Sequence, residues 1–311
     1  MLGYKDETAE LLEGWVPFKD NKRTRFLDKI DEIIDWKQIE RKLQKLYADR
    51  GRPSTPPLRV FKMLIIQHFY NLSDPACEES VNDSFAFRRF CGIALSESAP
   101  DETTLVRFRQ RLMKKNLHIK LLDMVNECLE KHGLMVRKVT LVDASLIQAQ
   151  TKGPKKGEEG LEKEASYTIK NDKLHYGYKA HISSEAATGM IEKAEYTTAK
   201  LHDSQVFESL DPGDVPIAAD KAYWSKARHE ALGDRSYLQI RGRKNHPLCE
   251  LERAYNKQVG RIRGRIEKIF GHFKRSLGYR RARYRGLSPG LLELQMKSIC
   301  WNLRRAVSLS Q

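Results

Sequence analysis

Three carboxylates in this chain have the type and placement to hold a metal ion. Asp143 closes the β-branched run Met135 to Val142, and Asp220 closes Val215-Pro-Ile-Ala-Ala219. Each is expected at the C-terminal end of a strand, the edge where open α/β sheets bind ligands. Glu267 is the single acidic residue of Gly260 to Lys274, GRIRGRIEKIFGHFK. Three converging carboxylates repel and raise one another's pKa unless cations neutralise them. Hard divalent ions with oxygen ligands do this, Mg²⁺ being the usual one. Two such ions about 3.5–4 Å apart can hold both the attacking and the leaving oxygen of an in-line phosphoryl displacement. The plainer readings stand beside this one. An aspartate after a strand is often a turn or cap residue, and Glu267 four residues after Arg263 makes an ordinary helical salt-bridge face.

The surroundings of Glu267 are cationic. Arg241 to Arg285 holds 15 Lys and Arg against 3 Asp and Glu, so +12 of the chain's net +15 lies in this stretch. A concentrated basic surface attracts a polyanion, most commonly nucleic acid. Arg263 and Lys274 would hold phosphates or steady the glutamate. A second basic stretch, Arg107, Arg109, Arg111, Lys114 and Lys115, follows the expected helix start at Asp101. A short helix, a turn and this basic helix would suit a helix-turn-helix, with phosphate contact the safer role for the arginines.

The elements that must position these residues follow from the pattern. Residues 1–24 read as an arm and 25–133 as a helical DNA-binding or dimerisation domain. Leu58 to Leu72 is its core helix, Ser73 and Asp101 are caps, and Gly133 is a stop. From 134 to 311 β-branched and alternating runs take over. Strands are expected at 135–142, 176–183, 190–197, 215–219 and 237–240, with helices between and after them, which makes an α/β domain (α+β overall). The charged stretch 148–173 is expected as a mobile loop needing no packed structure. Ile262, Ile266, Ile269 and Phe273 mark the buried stripe of the Glu267 helix. Five scattered cysteines with no CxxC pair fit reduced thiols in a cytosolic protein. No signal peptide or membrane span is legible.

The motifs, in order, resemble those of bacterial insertion-sequence transposases of the DDE class, in the insertion-sequence-five group. VDAS at 142–145 is similar to the family's first-aspartate strand, and Tyr176-Gly-Tyr-Lys-Ala-His181 to its second strand. Leu201-His-Asp-Ser204 is similar to a helix start, and Ala219-Asp-Lys-Ala-Tyr223 to the second-aspartate motif, with Ala222 where glycine is usual. Arg263, Glu267 and Lys274 fit the R-(3)-E-(6)-K part of a Y-(2)-R-(3)-E-(6)-K pattern, whose tyrosine is replaced here by Gly260. The resemblance covers nearly the whole chain. It implies an RNase H-like domain with Asp143, Asp220 and Glu267 as catalytic metal ligands. It implies two Mg²⁺, with Mn²⁺ as substitute, and double-stranded DNA as partner at transposon ends and target. Water frees a 3′ end, and the 3′-hydroxyl then attacks target DNA. A homodimer in the synaptic complex and a cytoplasmic, nucleoid-associated location are also expected.

Lys221 and Tyr223, beside the second aspartate, are expected at DNA. Lys179 touches phosphate or is an exposed strand lysine. Trp224 stacks on a base or packs. Asp203 is expected as a helix cap, and His202 and His272 as ordinary polar residues. Other classes remain: a DNA-binding protein without catalysis, a nuclease on the same fold that never joins strands, and a two-carboxylate glycosidase, which needs no metal.

Overall fold

The computed structural model describes residues 21–47, 54–155, 158–242 and 247–310. The chain divides into two compact units, residues 1–132 with 306–311, and residues 133–305. Most of the expected arm lies outside the described residues. Asn21 to Thr24 do not belong to an arm but open the first helix.

The first unit is helical: α1 (Lys22–Ile33), α2 (Trp36–Gln44), α3 (Pro57–Tyr70), α4 (Asp74–Asp83), α5 (Phe85–Cys91), α6 (Glu102–Lys114) and α7 (Leu121–Lys131), with a 3₁₀ turn at Leu117–Lys120. The caps fall where short polar side chains stand. Asn21 accepts from the amides of Arg23 and Thr24, Ser73 from that of Ala76, and Asp101 from that of Thr104. Helix α3 is buried from Val60 to His68, as its continuous apolar run requires. Gly133 takes φ +66, the left-handed stop after α7. Helix α6 packs against α3 and α4. Ten residues separate it from α5, more than the short turn of a helix-turn-helix.

The second unit is built on β1 (Thr140–Gln148), β2 (Ser166–Lys170), β3 (Lys173–Glu185), β4 (Ile191–Thr198), β5 (Ile217–Ala219) and β6 (Ser236–Leu238). β3 pairs antiparallel with both β1 and β4, whereas β5 runs parallel to β1 and β6 parallel to β5. The spatial order β4-β3-β1-β5-β6 with these directions is the RNase H-like arrangement, and β2 adds a hairpin to β3. Helices α8 (Phe207–Leu210) and α9 (Lys226–Leu232) lie in the later connections, followed by α10 (Glu250–Arg275) and α11 (Leu287–Leu309). α10 packs on β1 and β5. A core of Val142, Phe207, Leu210, Ile217, Ala219 and Leu238 fills out the parallel part of the sheet. Asn302 of α11 exchanges two 2.8 Å hydrogen bonds with the backbone of Ile191.

Two expectations change here. The stretch 148–173 is largely exposed but held by hydrogen bonds in its described part. Glu162, 4% exposed, accepts from the Thr151 amide (2.7 Å) and hydroxyl (3.0 Å) and from the Tyr178 hydroxyl (2.9 Å). Tyr167 and Tyr176 donate to the carbonyls of Pro154 and Glu162. Charged composition suggested a mobile loop, but three tyrosines and one satisfied carboxylate tie it down, and β2 emerges from it. The first strand begins at Thr140, not Met135, and runs on to Gln148. Among the described residues no helix is long and apolar enough to cross a membrane, and the five cysteines are unpaired.

Candidate active site

The parallel pairing of β1 with β5 ends at Val142↔Ala219. Asp143 and Asp220 are the next residue on each strand, so they stand side by side where neighbouring strands lie about 4.8 Å apart. Asp143 is thus inside β1 rather than at its end. β1 continues because its other edge stays paired with β3, Asp143 facing Ile182. What ends at Asp143 is the parallel neighbour. The vacated edge of β1 is taken up again only at Gln148, which donates to Arg280 (3.0 Å) and accepts from Ala282 (2.8 Å). Asp143 and Asp220 open into that gap.

Backbone amides fix both carboxylates. Asp220 accepts from the Ala222 amide at 2.7 Å, and Asp143 from the Ala144 amide at 2.9 Å. Burial raises the Asp143 pKa above its ordinary value. The Arg263 guanidinium and the Ala144 amide pull it down, and the negative charge of Asp220 pushes it up again. Arg263 is buried under α10, with Nη2 3.7 Å from Asp143 Oδ1. Its Nη1 donates to Gln239 Oε1 at 3.3 Å, and Gln239 in turn donates to the Asn256 carbonyl at 2.9 Å. Arg263 therefore balances Asp143 and is not open to phosphate or bonded to Glu267. Gly260 faces the same glutamine: a Cβ there would meet Gln239 Nε2 at 3.3 Å.

Glu267 is exposed, one turn beyond Arg263. Among the described residues, no group of three or more His, Cys, Asp or Glu is gathered to hold a metal. The structure thus brings together two of the three expected carboxylates. That pair suits a hard divalent cation: Asp143 is desolvated, the charge of Asp220 bears on it, and a guanidinium at 3.7 Å offsets it only in part. Lys274 is half-buried, its pKa lowered by burial and by the charges of Lys170 and Arg280, while Asp143 raises it. Lys221, next to Asp220, is exposed.

Three expected DNA contacts are otherwise engaged. Tyr223 is 1% exposed and packs on Phe207 at 5.8 Å between ring centroids. Its hydroxyl has no hydrogen-bond partner among the described residues, and burial followed by the charges of Asp203 and Asp143 pushes its pKa up. Lys179 pairs with Leu146, so strand alternation puts it on the face opposite Asp143. There it donates to the Leu201 carbonyl (2.7 Å) and pairs with Asp203 (2.8 Å). Arg109 is 6% exposed and bidentate on Asp74, at 2.8 and 2.6 Å. A position after Phe108 on the buried side of α6 left it no exposed face. Arg107 and Arg111 are exposed, Arg111 over the Tyr47 ring at 4.7 Å. Trp224 packs on the core beside Tyr223, and His202, not Asp203, is the N-cap of the following 3₁₀ turn. Sequence reasoning missed Gln239, Lys170 and Arg280. The first carries no motif, Lys170 sat in a run read as charge, and Arg280 was given no role of its own.

Two family models match the chain: the Transposase domain (DUF772) over residues 10–111 and the Transposase DDE domain over residues 135–303. The second spans more than half of the sequence, and the chain belongs to the DDE transposase family. It is a DNA transposase, an enzyme of DNA cleavage and strand transfer, and its family generally uses divalent metal ions. A solved structure with a similar chain is that of the piggyBac transposase synaptic complex with hairpin DNA. The identity is 11%, the coverage 92% of this chain and 74% of that one, and the TM-score 0.45.

Proposed function

We propose that Asp143, Asp220 and Glu267 are the catalytic carboxylates of this transposase, and that they hold two Mg²⁺ ions, for which Mn²⁺ can substitute. The observation that carries this reading is the Val142↔Ala219 register, which sets Asp143 and Asp220 side by side under α10. When bound, the cations would polarise the attacking hydroxyl and stabilise the departing oxyanion of an in-line displacement. Asp143 and Asp220 are presented with little motion, because a backbone amide fixes each. Glu267 would complete the set by turning inward from its exposed position on α10. Arg263 offsets the charge of Asp143 in the free enzyme. Lys274, Lys170, Arg280 and Lys221 bind phosphates around the reacting bond.

The reaction runs in two displacements. Water attacks the phosphodiester at a terminal inverted repeat and frees a 3′-hydroxyl, which then attacks a target phosphodiester. Two ends must be held together, so the working form is a homodimer on DNA, in the cytoplasm at the nucleoid. Arg107 and Arg111 supply backbone contacts from the helical unit.

The test is cleavage of a duplex carrying the terminal repeat read from DNA flanking the gene. Wild type should cut with Mg²⁺ and stop with EDTA, and Asp143→Asn should bind without cutting. If wild type binds but never cuts with Mg²⁺ or Mn²⁺, the catalytic reading is wrong for this chain. Nicking without joined products would reduce it to a nuclease.

A further inference from the structure

The β2–β3 hairpin has features that the aspartate chemistry leaves unused. β3 pairs with β1 as far as Gln148↔Gly177 and with β4 as far as Tyr178↔Thr198. Its pairs with β2 begin at Ser166↔Gly177, where the β1 pairing ends, and run out to Lys170↔Lys173. Two strands therefore run on past the sheet and close at Asn171-Asp172, both left-handed at φ 50 and 57, the backbone of a tight hairpin turn. Near the tip, the cross-strand pair Ile169↔Leu174 is bare, at 72% and 65% exposure. The tyrosines behind it on the same face are hydrogen-bonded to the 151–165 segment, and this outer pair is more exposed than Tyr167, at 39%. On the other face the exposed Lys170 and Lys173 stand directly opposite, a destabilising like-charge pair about 5 Å apart. A hairpin that exposes its apolar pair and repels across its basic pair gains most from an anionic partner with an apolar interior. Stacked bases between phosphates are such a partner.

The hairpin also reaches the right place. The charge of Lys170 bears on both Asp143 and Lys274. At Gly177, where the hairpin leaves β1, a Cβ would meet the Ile147 carbonyl oxygen at 2.2 Å, so no other residue fits.

We propose that the β2–β3 hairpin is a wedge: Ile169 and Leu174 enter the base stack of the duplex beside the bond being cut, while Lys170 and Lys173 hold the flanking phosphates. Isoleucine and leucine are among the side chains that unstack base steps in this way. The proposal rests on the reading of Asp143 and Asp220 as the place where DNA lies, and the experiment separates the two.

The probe is the terminal-repeat duplex with 2-aminopurine at successive positions around the cleavage point, bound by full-length protein. Wild type should raise the fluorescence at one or two adjacent positions. Ile169→Ser with Leu174→Ser, exposed positions that leave the core intact, should keep the melting temperature and leave fluorescence at the level of free duplex. Cutting of paired duplex should fall about tenfold or more. Two mismatched pairs at the wedge position should restore it to near the wild-type rate, because an unpaired base is already cheap to extrude. Asp143→Asn should still raise the fluorescence without cutting. Cutting by wild type with no fluorescence rise at any position would overturn the wedge while sparing the catalytic reading. Fluorescence without cutting would do the reverse. Failure of mismatches to rescue the double variant, or loss of its dimer by light scattering with fluorescence unchanged, would assign the apolar pair to another role, the latter to a second copy of the chain.

Discussion

Asp143 is held where its charge is costly. Burial and the neighbouring Asp220 both raise its pKa, against the pull of Arg263 and the Ala144 amide. A folded-state pKa above the unfolded value favours the uncharged form, so the charge carried at neutral pH opposes folding. Asp143→Asn should therefore melt a few degrees above wild type without metal. Mg²⁺ should raise the melting temperature of wild type and not that of the variant. Equal responses to Mg²⁺ would place the cation elsewhere. Both aspartates were legible in the sequence because each follows an apolar run. The partner of Arg263 was not. Helical spacing alone points Arg263 at Glu267, whereas packing turns its side of α10 toward the sheet and leaves Glu267 in solvent.

At the level of elements, cations were visible but their burial was not. Arg109 looks like Arg107 and Arg111 in sequence, yet it is bidentate on Asp74 and joins α6 to α4. Breaking a buried pair strands the remaining charge, so Arg109→Ala should cost about 3 kcal/mol or more in denaturant unfolding. Arg107→Ala should leave stability within about 0.5 kcal/mol. Equal costs would show that the pairing contributes nothing. Strand β4 makes a pH-dependent contribution. Burial raises the Glu192 pKa to about 7, opposed by the Thr140 hydroxyl and Arg137. Its stabilising share is complete below the unfolded carboxylate range and is lost as pH rises through about 7. Unfolding followed from pH 5 to 8 should show a loss of up to about 3 kcal/mol that Glu192→Gln removes. A variant that keeps the full slope would point to other groups. Periodicity found the long helices and the five principal strands. It missed β2 because Tyr167 and Ile169 are interleaved with Thr168 and Lys170 inside a charged stretch, and because Glu162, which fixes that stretch, looks like any surface glutamate.

On the scale of the whole molecule, order along the chain carried the most information. Strand, turn and helix motifs from Asp143 to Lys274 follow the RNase H-like arrangement found in the sheet, and two transposase models match either side of Gly133. Composition added the nucleic-acid partner through a +12 stretch, though nothing in it tells which cations meet DNA. Two transposon ends joined in one event call for two active sites. Light scattering on a complex with terminal-repeat DNA should give two protomers for two ends, and a single protomer on two ends would contradict the dimer. The least legible feature at this scale is Glu267, which the proposed site requires and the structure leaves in solvent.

Glu267 therefore provides the sharpest test. Glu267→Gln keeps size and helix propensity while removing the charge that the proposed metal site needs. Cutting of terminal-repeat duplex with Mg²⁺ should fall by about 10³-fold or more, with DNA affinity within about threefold of wild type. Unchanged cutting by Glu267→Gln would remove it from the site and leave Asp143 and Asp220 to act without it.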